Sequence, residues 1–127
     1  MSHFSKVTTQ IKDIAALERA VAELGLTMTS HQKVRGYTDI NAEHVIKLNG
    51  QYDVGLELNE DMTFRLVYDP YQGHVENELG PGCGRLLQRY AVCKLEVEAR
   101  KKGLSVFRNY QQNGNIQVVL QQVGVYA

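Results

Sequence analysis

Polar and apolar residues alternate from Phe4 to Ile11, with Val7, Thr9 and Ile11 on one side and Lys6, Thr8 and Gln10 on the other. That period of two predicts a half-buried strand. Asp13 then offers a carboxylate to cap a helix, and Ile14, Leu17, Val21 and Leu24 recur at steps of three, four and three until Gly25 supplies the left-handed residue that ends helices. Thr27 to Val34 predicts a second strand. His44, Ile46 and Leu48 alternate into Asn49-Gly50, a two-residue hairpin signal, and the chain returns through Tyr52, Val54, Leu56 and Leu58. After the polar turn Asn59-Glu60-Asp61, the residues Met62, Phe64, Leu66 and Tyr68 alternate again, which predicts an antiparallel meander over residues 43–69.

Residues 70–82 hold both prolines, three glycines and two glutamates with little apolar period, and predict a long connection free to move. A helix over 84–102 closes at Gly103, and strands over 105–111 and 115–122 form a hairpin around Asn113-Gly114. Helices segregated from antiparallel strands predict an α+β fold, a two-layer sandwich of a mainly antiparallel sheet with two helices. The nearest named form is a ferredoxin-like variant built as one domain over residues 1–127.

The second helix has two apolar faces. Cys83, Leu86, Tyr90, Cys93 and Val97 form the stripe expected to face the sheet. Val92, Leu95 and Ala99 lie nearly opposite, roughly 180° to 240° away at the helical turn of about 100° per residue. One sheet cannot cover both. The second stripe therefore needs the connection 70–82, the C-terminal residues 123–126, a second copy or a protein partner over it.

Composition narrows the classes. The chain has 127 residues, 43% of them hydrophobic, with 14 Lys+Arg against 14 Asp+Glu. No apolar run approaches the roughly 20 residues that cross a bilayer, and the N-terminus lacks a signal-peptide core, so a cytoplasmic location is expected. Cys83 and Cys93 would stand about 15 Å apart on one helix, beyond disulfide reach, and a reduced compartment fits. The four histidines have no cysteine at ligand spacing, so neither a metal nor another cofactor is called for.

Neutral overall charge hides a strong asymmetry. Residues 39–80 carry nine acids against two bases, and residues 81–127 seven bases against two acids. The two segments either neutralise each other across the fold or steer a partner of opposite sign. Arg85, Arg89, Arg100, Lys101, Lys102 and Arg108 could face phosphates, but zero net charge and the lack of an aromatic RNA-binding motif argue against nucleic acid.

Motifs for chemistry are sparse. Gly80-Pro81-Gly82-Cys83-Gly84 could present amides to an anion at a helix start, yet it lacks the Gly-Lys-Ser/Thr ending of a phosphate loop. Cys83 could act as a thiolate there, although its place on the apolar stripe points to a buried thiol. His44 shares its strand face with Ile46 and Leu48, which reads as a core histidine. Val34-Arg35-Gly36-Tyr37 offers a guanidinium fork beside an aromatic ring, and a strand end with a snorkelling arginine reads equally well.

Several motifs together resemble the hypothetical chloroplast reading frame thirty-five family of plastids, cyanobacteria and other bacteria. They are Met1-Ser2-His3-Phe4-Ser5 running into Thr8-Thr9-Gln10-Ile11-Lys12-Asp13, Ala16-Leu17 through Leu24-Gly25, and Val34-Arg35-Gly36-Tyr37. Tyr52-Asp53-Val54-Gly55 and Leu86-Leu87-Gln88-Arg89-Tyr90-Ala91 complete the set. The chain departs from the family in its glycine-rich stretch Gly80 to Gly84. The resemblance brings no catalytic residue; it implies an adaptor or regulatory subunit beside an AAA-type ATPase, and the plastid stroma for a plastid-encoded member.

Two functions follow as expectations. The first is a non-enzymatic binding protein that meets a partner, or itself, through Val92, Leu95 and Ala99 of the second helix. The alternative is a small-ligand enzyme or sensor with a pocket between sheet and helices, contacted by Arg35, Tyr37, Tyr68 and Arg89.

Overall fold

A computed structural model of the chain describes residues 5–36 and 40–122. Strand β1 (Ser5–Ile11) leads into helix α1 (Ile14–Glu23), and strands β2 (Thr27–Val34), β3 (Ile40–Lys47), β4 (Val54–Leu58) and β5 (Phe64–Tyr68) follow as a meander. The sheet has the order β1-β5-β4-β3-β2 and is antiparallel throughout. β1 and β2 therefore run the same way at opposite edges, joined by α1 across three intervening strands. This α+β sandwich keeps the split β-α-β plan and widens it.

Local chemistry explains the elements. Asp13 accepts a hydrogen bond from the Ala16 amide at 3.0 Å as the N-cap of α1, which with a salt bridge from Lys94 holds its carboxyl below the usual range. The Tyr90 hydroxyl accepts from the amides of Lys12 and Asp13, both at 3.3 Å, and so ties the second long helix to the start of the first. Even-numbered sheet residues Ile46, Val54, Leu56, Leu66 and Tyr68 meet Leu17, Ala20 and Val21 of α1 and Leu86, Tyr90 and Cys93 of helix α3 (Gly84–Lys101) in one core.

Part of the other face of the sheet is covered by the chain itself. Val45, Gly55 and Val67 lie side by side on β3, β4 and β5, and Val34 and Ala42 close over them. The fit leaves no room for a side chain at 55. A Cβ there would stand 2.6 Å from Val34 Cγ2 and 3.0 Å from the Ala42 Cβ. His31, at φ 53°, sits within β2 on the stretch that leads to this closure.

Two expectations are corrected. Residues 70–82 are not an open connection: a 3-10 turn (Tyr71–Gly73), helix α2 (His74–Leu79) and a second 3-10 turn (Pro81–Cys83) fill it. Val75 and Leu79, one helical turn apart, drop into the core. Asn49-Gly50 does not make a two-residue turn, since β3 and β4 are separated by residues 48–53. The reason is that Glu78 of α2 takes both turn amides, Asn49 at 2.8 Å and Gly50 at 3.1 Å.

The last two strands form the expected hairpin. β6 (Leu104–Tyr110) and β7 (Ile116–Gln122) pair only with each other, as a two-stranded sheet apart from the main one. β6 packs on α3 and β7 on β6. Among the described residues, no helix is long and apolar enough to cross a membrane.

Candidate functional site

The β6–β7 hairpin is uncharged apart from one residue. Of positions 104–122 only Arg108 carries a charge, and its strand position turns the guanidinium toward the helices. Nη1 and Nη2 reach Glu23 of α1 at 2.6 and 3.1 Å, while Nε and Nη2 reach Glu96 of α3 at 3.0 and 2.6 Å. One planar fork thus engages two carboxylates, each in bidentate fashion. Arg89 adds a bond to Glu23 at 3.1 Å and Arg19 reaches Glu96 at 3.4 Å.

Hydrogen bonds from Arg108 outweigh burial and hold the Glu23 carboxyl down to about 2. The arginine is in turn held charged by its two acids. Cys93 donates its thiol proton to Glu23 at 3.4 Å, and burial together with that carboxylate pushes the thiol upward. Glu23, Cys93 and Glu96 offer ligand atoms within 4.8 Å of one another, a spacing that suits a metal ion. The cation they hold here is the Arg108 guanidinium.

This latch accounts for the second helix face. Val92, Glu96 and Ala99 share a stripe by spacings of four and three; Val92 and Ala99 are buried, and Glu96 is bound by Arg108. The hairpin packs on this side of α3, where Gln88 reaches the Gly114 carbonyl, Arg89 lies over the Tyr110 ring and Glu96 holds Arg108. Residues 123–126, the other intramolecular cover considered, lie outside the described residues. Val92 and Ala99 are therefore not open to a partner, whereas Leu95 beside them is 38% exposed.

The hairpin carries the apolar surface instead. Phe107, Tyr110, Val119 and Leu120 are 54%, 59%, 45% and 46% exposed. Phe107 and Val119 are cross-strand partners and share the face opposite Arg108. Leaving so much large apolar surface on one small element is unusual for a side chain set with no task.

The predicted ligand contacts do not converge. Tyr68 is in the core, with its hydroxyl beside the Cys83 thiol; burial raises both groups to about 12. Arg89 is committed to Glu23, and its Cζ lies 5.8 Å over the Tyr110 ring. Tyr37 lies outside the described residues. Arg35 belongs to a structural joint: its Nε and Nη2 reach Asp53 at 2.9 and 2.7 Å, and Nη2 also reaches the Leu48 carbonyl at 3.0 Å.

Asp53 is fully buried and accepts further bonds from the Arg35 amide at 3.0 Å and Lys47 Nζ at 3.2 Å. Burial opposes its charge, yet these partners hold the carboxyl below the ordinary value. The motifs around residues 34–37 and 52–55 are thus two halves of one contact, with Arg35 on Asp53, Val34 on Gly55, and Gly36 against Tyr52 and Asp69. Charge is likewise settled locally. α3 and β6 pair with acids of α1 and α3, and the acidic meander with Arg35, Lys47 and Arg65, so the two halves do not neutralise each other through these pairs.

A polar groove of about 490 Å³ lies elsewhere, lined by His31, Asn41, Glu43, Glu57 and Arg65 among others. Sequence reasoning passed over it because its residues come from four different strands with no common motif. It read Arg108 as one of six bases that could face phosphates and missed its part as a latch, whose signal was its isolation as the sole charge over residues 104–122.

Comparisons with known proteins agree with the resemblance. The family model described as "Protein of unknown function (DUF1257)" matches residues 20–119. The uncharacterized protein ycf35 of Pyropia yezoensis is 29% identical over 126 residues, covering 96% of this chain and 98% of that protein. The ycf35 protein of Guillardia theta is 31% identical over the same length and shares. No solved structure matches the chain significantly.

Proposed function

The chain belongs to the DUF1257 family, and from that premise we propose that it is a protein-binding module, an adaptor or regulatory subunit rather than an enzyme, whose contact surface is the outer side of the β6–β7 hairpin. The observation that carries this reading is the exposure of Phe107 and Val119 together on the face turned away from Arg108, with Tyr110 and Leu120 exposed on the other face of an element tied to the body through the Arg108 fork. The side chains expected for chemistry support it from the other direction, since Arg35, Tyr68 and Arg89 are each taken by internal partners. Leu95 of α3 is the part of the expected helix surface that remains open.

The test is affinity purification of the tagged chain from its native host, comparing wild type with Phe107→Ser and with Leu95→Glu, beside light scattering of each purified chain. A stoichiometric partner or a self-associated form lost on Phe107→Ser supports the hairpin surface. A partner kept by Phe107→Ser and lost on Leu95→Glu moves the surface to α3. A monomer with no recurrent partner overturns the reading. An AAA-type ATPase, which the family resemblance implies, is the partner class to look for first, in the cytoplasm or plastid stroma.

A small-ligand sensor is the second reading, and one observation favours it. The Glu43 Oε2 atom in the polar groove is buried and, among the described residues, has no hydrogen-bond donor. Small amine and guanidine compounds that raise the melting temperature of wild type but not of Glu43→Gln would support it, and no shift would remove it.

A further inference from the structure

Among the described residues four strands have a side without a strand partner, β1 and β2 in the main sheet and β6 and β7 in the hairpin, and they differ in how they are protected; β6 carries Arg108. β1 carries Lys6 and a register shift between Thr8 and Ile11. β2 carries Lys33, and His31 breaks its regularity at φ 53°. Charges and irregularities of this kind are how proteins keep edges from pairing. β7 has neither. Its sequence Ile116-Gln117-Val118-Val119-Leu120-Gln121-Gln122 holds no charge, proline or glycine, and it pairs regularly with β6 along its whole length.

The same seven residues are close to self-complementary. Two antiparallel copies related by a two-fold axis through Val119 would set Val119 against Val119, Val118 against Leu120 and Gln117 against Gln121. Inside the outermost pair, Ile116 against Gln122, apolar positions then meet apolar ones and glutamine meets glutamine, on the correct faces of the pleat. Because Phe107 is the cross-strand partner of Val119, the joined outer face would carry the unbroken row Phe107, Val119, Val119, Phe107. The pairing also turns a two-stranded ribbon, marginal by itself, into a four-stranded sheet. A two-fold contact closes on itself and stops at two copies.

We propose that the hairpin surface, on the binding reading given above, is occupied by a second copy of this chain, paired antiparallel along β7. The absence of charge on both edge and outer face removes any repulsion between identical copies, and removes the charge signature that would select a partner of opposite sign.

The test is the mass of the full chain in solution across roughly 1 to 100 µM, the range where an interface of modest affinity declares itself. Wild type is expected at twice the 14.3 kDa of one chain. Val119→Lys and Val119→Glu each place like charges opposite one another and are expected to be monomers, while an equal mixture of the two is expected to restore the dimer. Val119 is 45% exposed, so both variants should keep the wild-type circular dichroism and melt cooperatively, without the concentration dependence of melting that a dimer shows. A dimer that survives both substitutions overturns the proposal, as does a mixture that stays monomeric. A monomeric wild type that still loses a different protein on Phe107→Ser would overturn self-pairing and leave the binding reading standing. A monomeric wild type without a hairpin-dependent partner would remove both.

Discussion

Replacing Arg108 by Met keeps the length of the side chain and removes the fork that holds the hairpin to the helices. The loss is set by what remains of each carboxylate's partners. Glu23 is depressed from 4.5 to about 2, a difference worth a ceiling of about 3 kcal/mol, since each pKa unit is about 1.4 kcal/mol. Glu23 sits at the rim and keeps Arg89, so solvent screening reduces its share to about 1 kcal/mol. Glu96 is 9% exposed and keeps only Arg19, at 3.4 Å, which leaves a buried acid short of donors at a cost of about 1 to 2 kcal/mol. Together the substitution should weaken docking by roughly 2 to 3 kcal/mol, a factor of about 30 to 150.

That loss falls on one element. A two-stranded ribbon has little stability of its own, whereas the five-stranded sheet with α1 and the first turns of α3 has a core that Arg108 meets at Cys93, at 3.8 Å, on its margin. Hydrogen exchange should therefore show amides of β6 and β7 losing protection by about that factor, with the amides of β4 and β5 nearly unchanged. Acid should act in the same direction. Glu23 is depressed in the folded state, so its contribution is present above about 4.5 and disappears as pH falls toward about 2. Wild-type hairpin protection should fall across that window, and the Arg108→Met chain should show no such fall. Unchanged β6–β7 protection in Arg108→Met would refute the latch, and so would a loss spread evenly over all strands.

Three further outcomes are expected. Gly55→Ala places a methyl 2.6 Å from Val34 Cγ2 and 3.0 Å from Ala42 and should destabilise the fold by about 1 to 3 kcal/mol in urea titration, the ordinary cost of overpacking. Asp53→Asn removes the charge that pairs Arg35 and Lys47 in a fully buried position and should cost about 3 to 5 kcal/mol at neutral pH. The difference from wild type should shrink in acid, because a depressed carboxyl loses its contribution as pH falls through its folded value. Cys83, buried and pushed up to about 12, should react with a thiol reagent at pH 8 only at the rate of unfolding; fast labelling of the folded chain would contradict its place in the core.

The sequence's periods made most elements legible. β2 spans the residues 27–34 expected of it, although its pattern is weak, and α1 ends where Leu24 and Gly25 mark it, because a local cap sets its end. What escaped was decided by residues far apart in the chain. Glu78 overrides the Asn49-Gly50 turn from 28 and 29 positions away. Helix α2 was hidden because Val75 and Leu79 make only one apolar turn between glycines and prolines. Arg35 read as a ligand contact when Asp53, which uses its fork, stood eighteen positions on. Arg108 finds Glu23 across 85 positions, and no periodicity reports a pair of that kind.

The latch and the surface are coupled, and the coupling separates two ways in which the hairpin can work. A partner that contacts both the hairpin and α3, where Leu95 is open, binds only the docked form, and its apparent affinity falls in proportion to the docked fraction. Arg108→Met should then weaken that partner as far as it opens the hairpin. Pairing along β7 uses only the ribbon and its edge, so it should survive undocking as long as β6 and β7 stay paired. Self-pairing would even protect the freed ribbon, since each copy supplies the strands that the other lacks. Affinity measured against hairpin protection in the same Arg108→Met sample therefore distinguishes the two: a parallel fall marks a surface shared with α3, and an unchanged association marks the β7 edge alone.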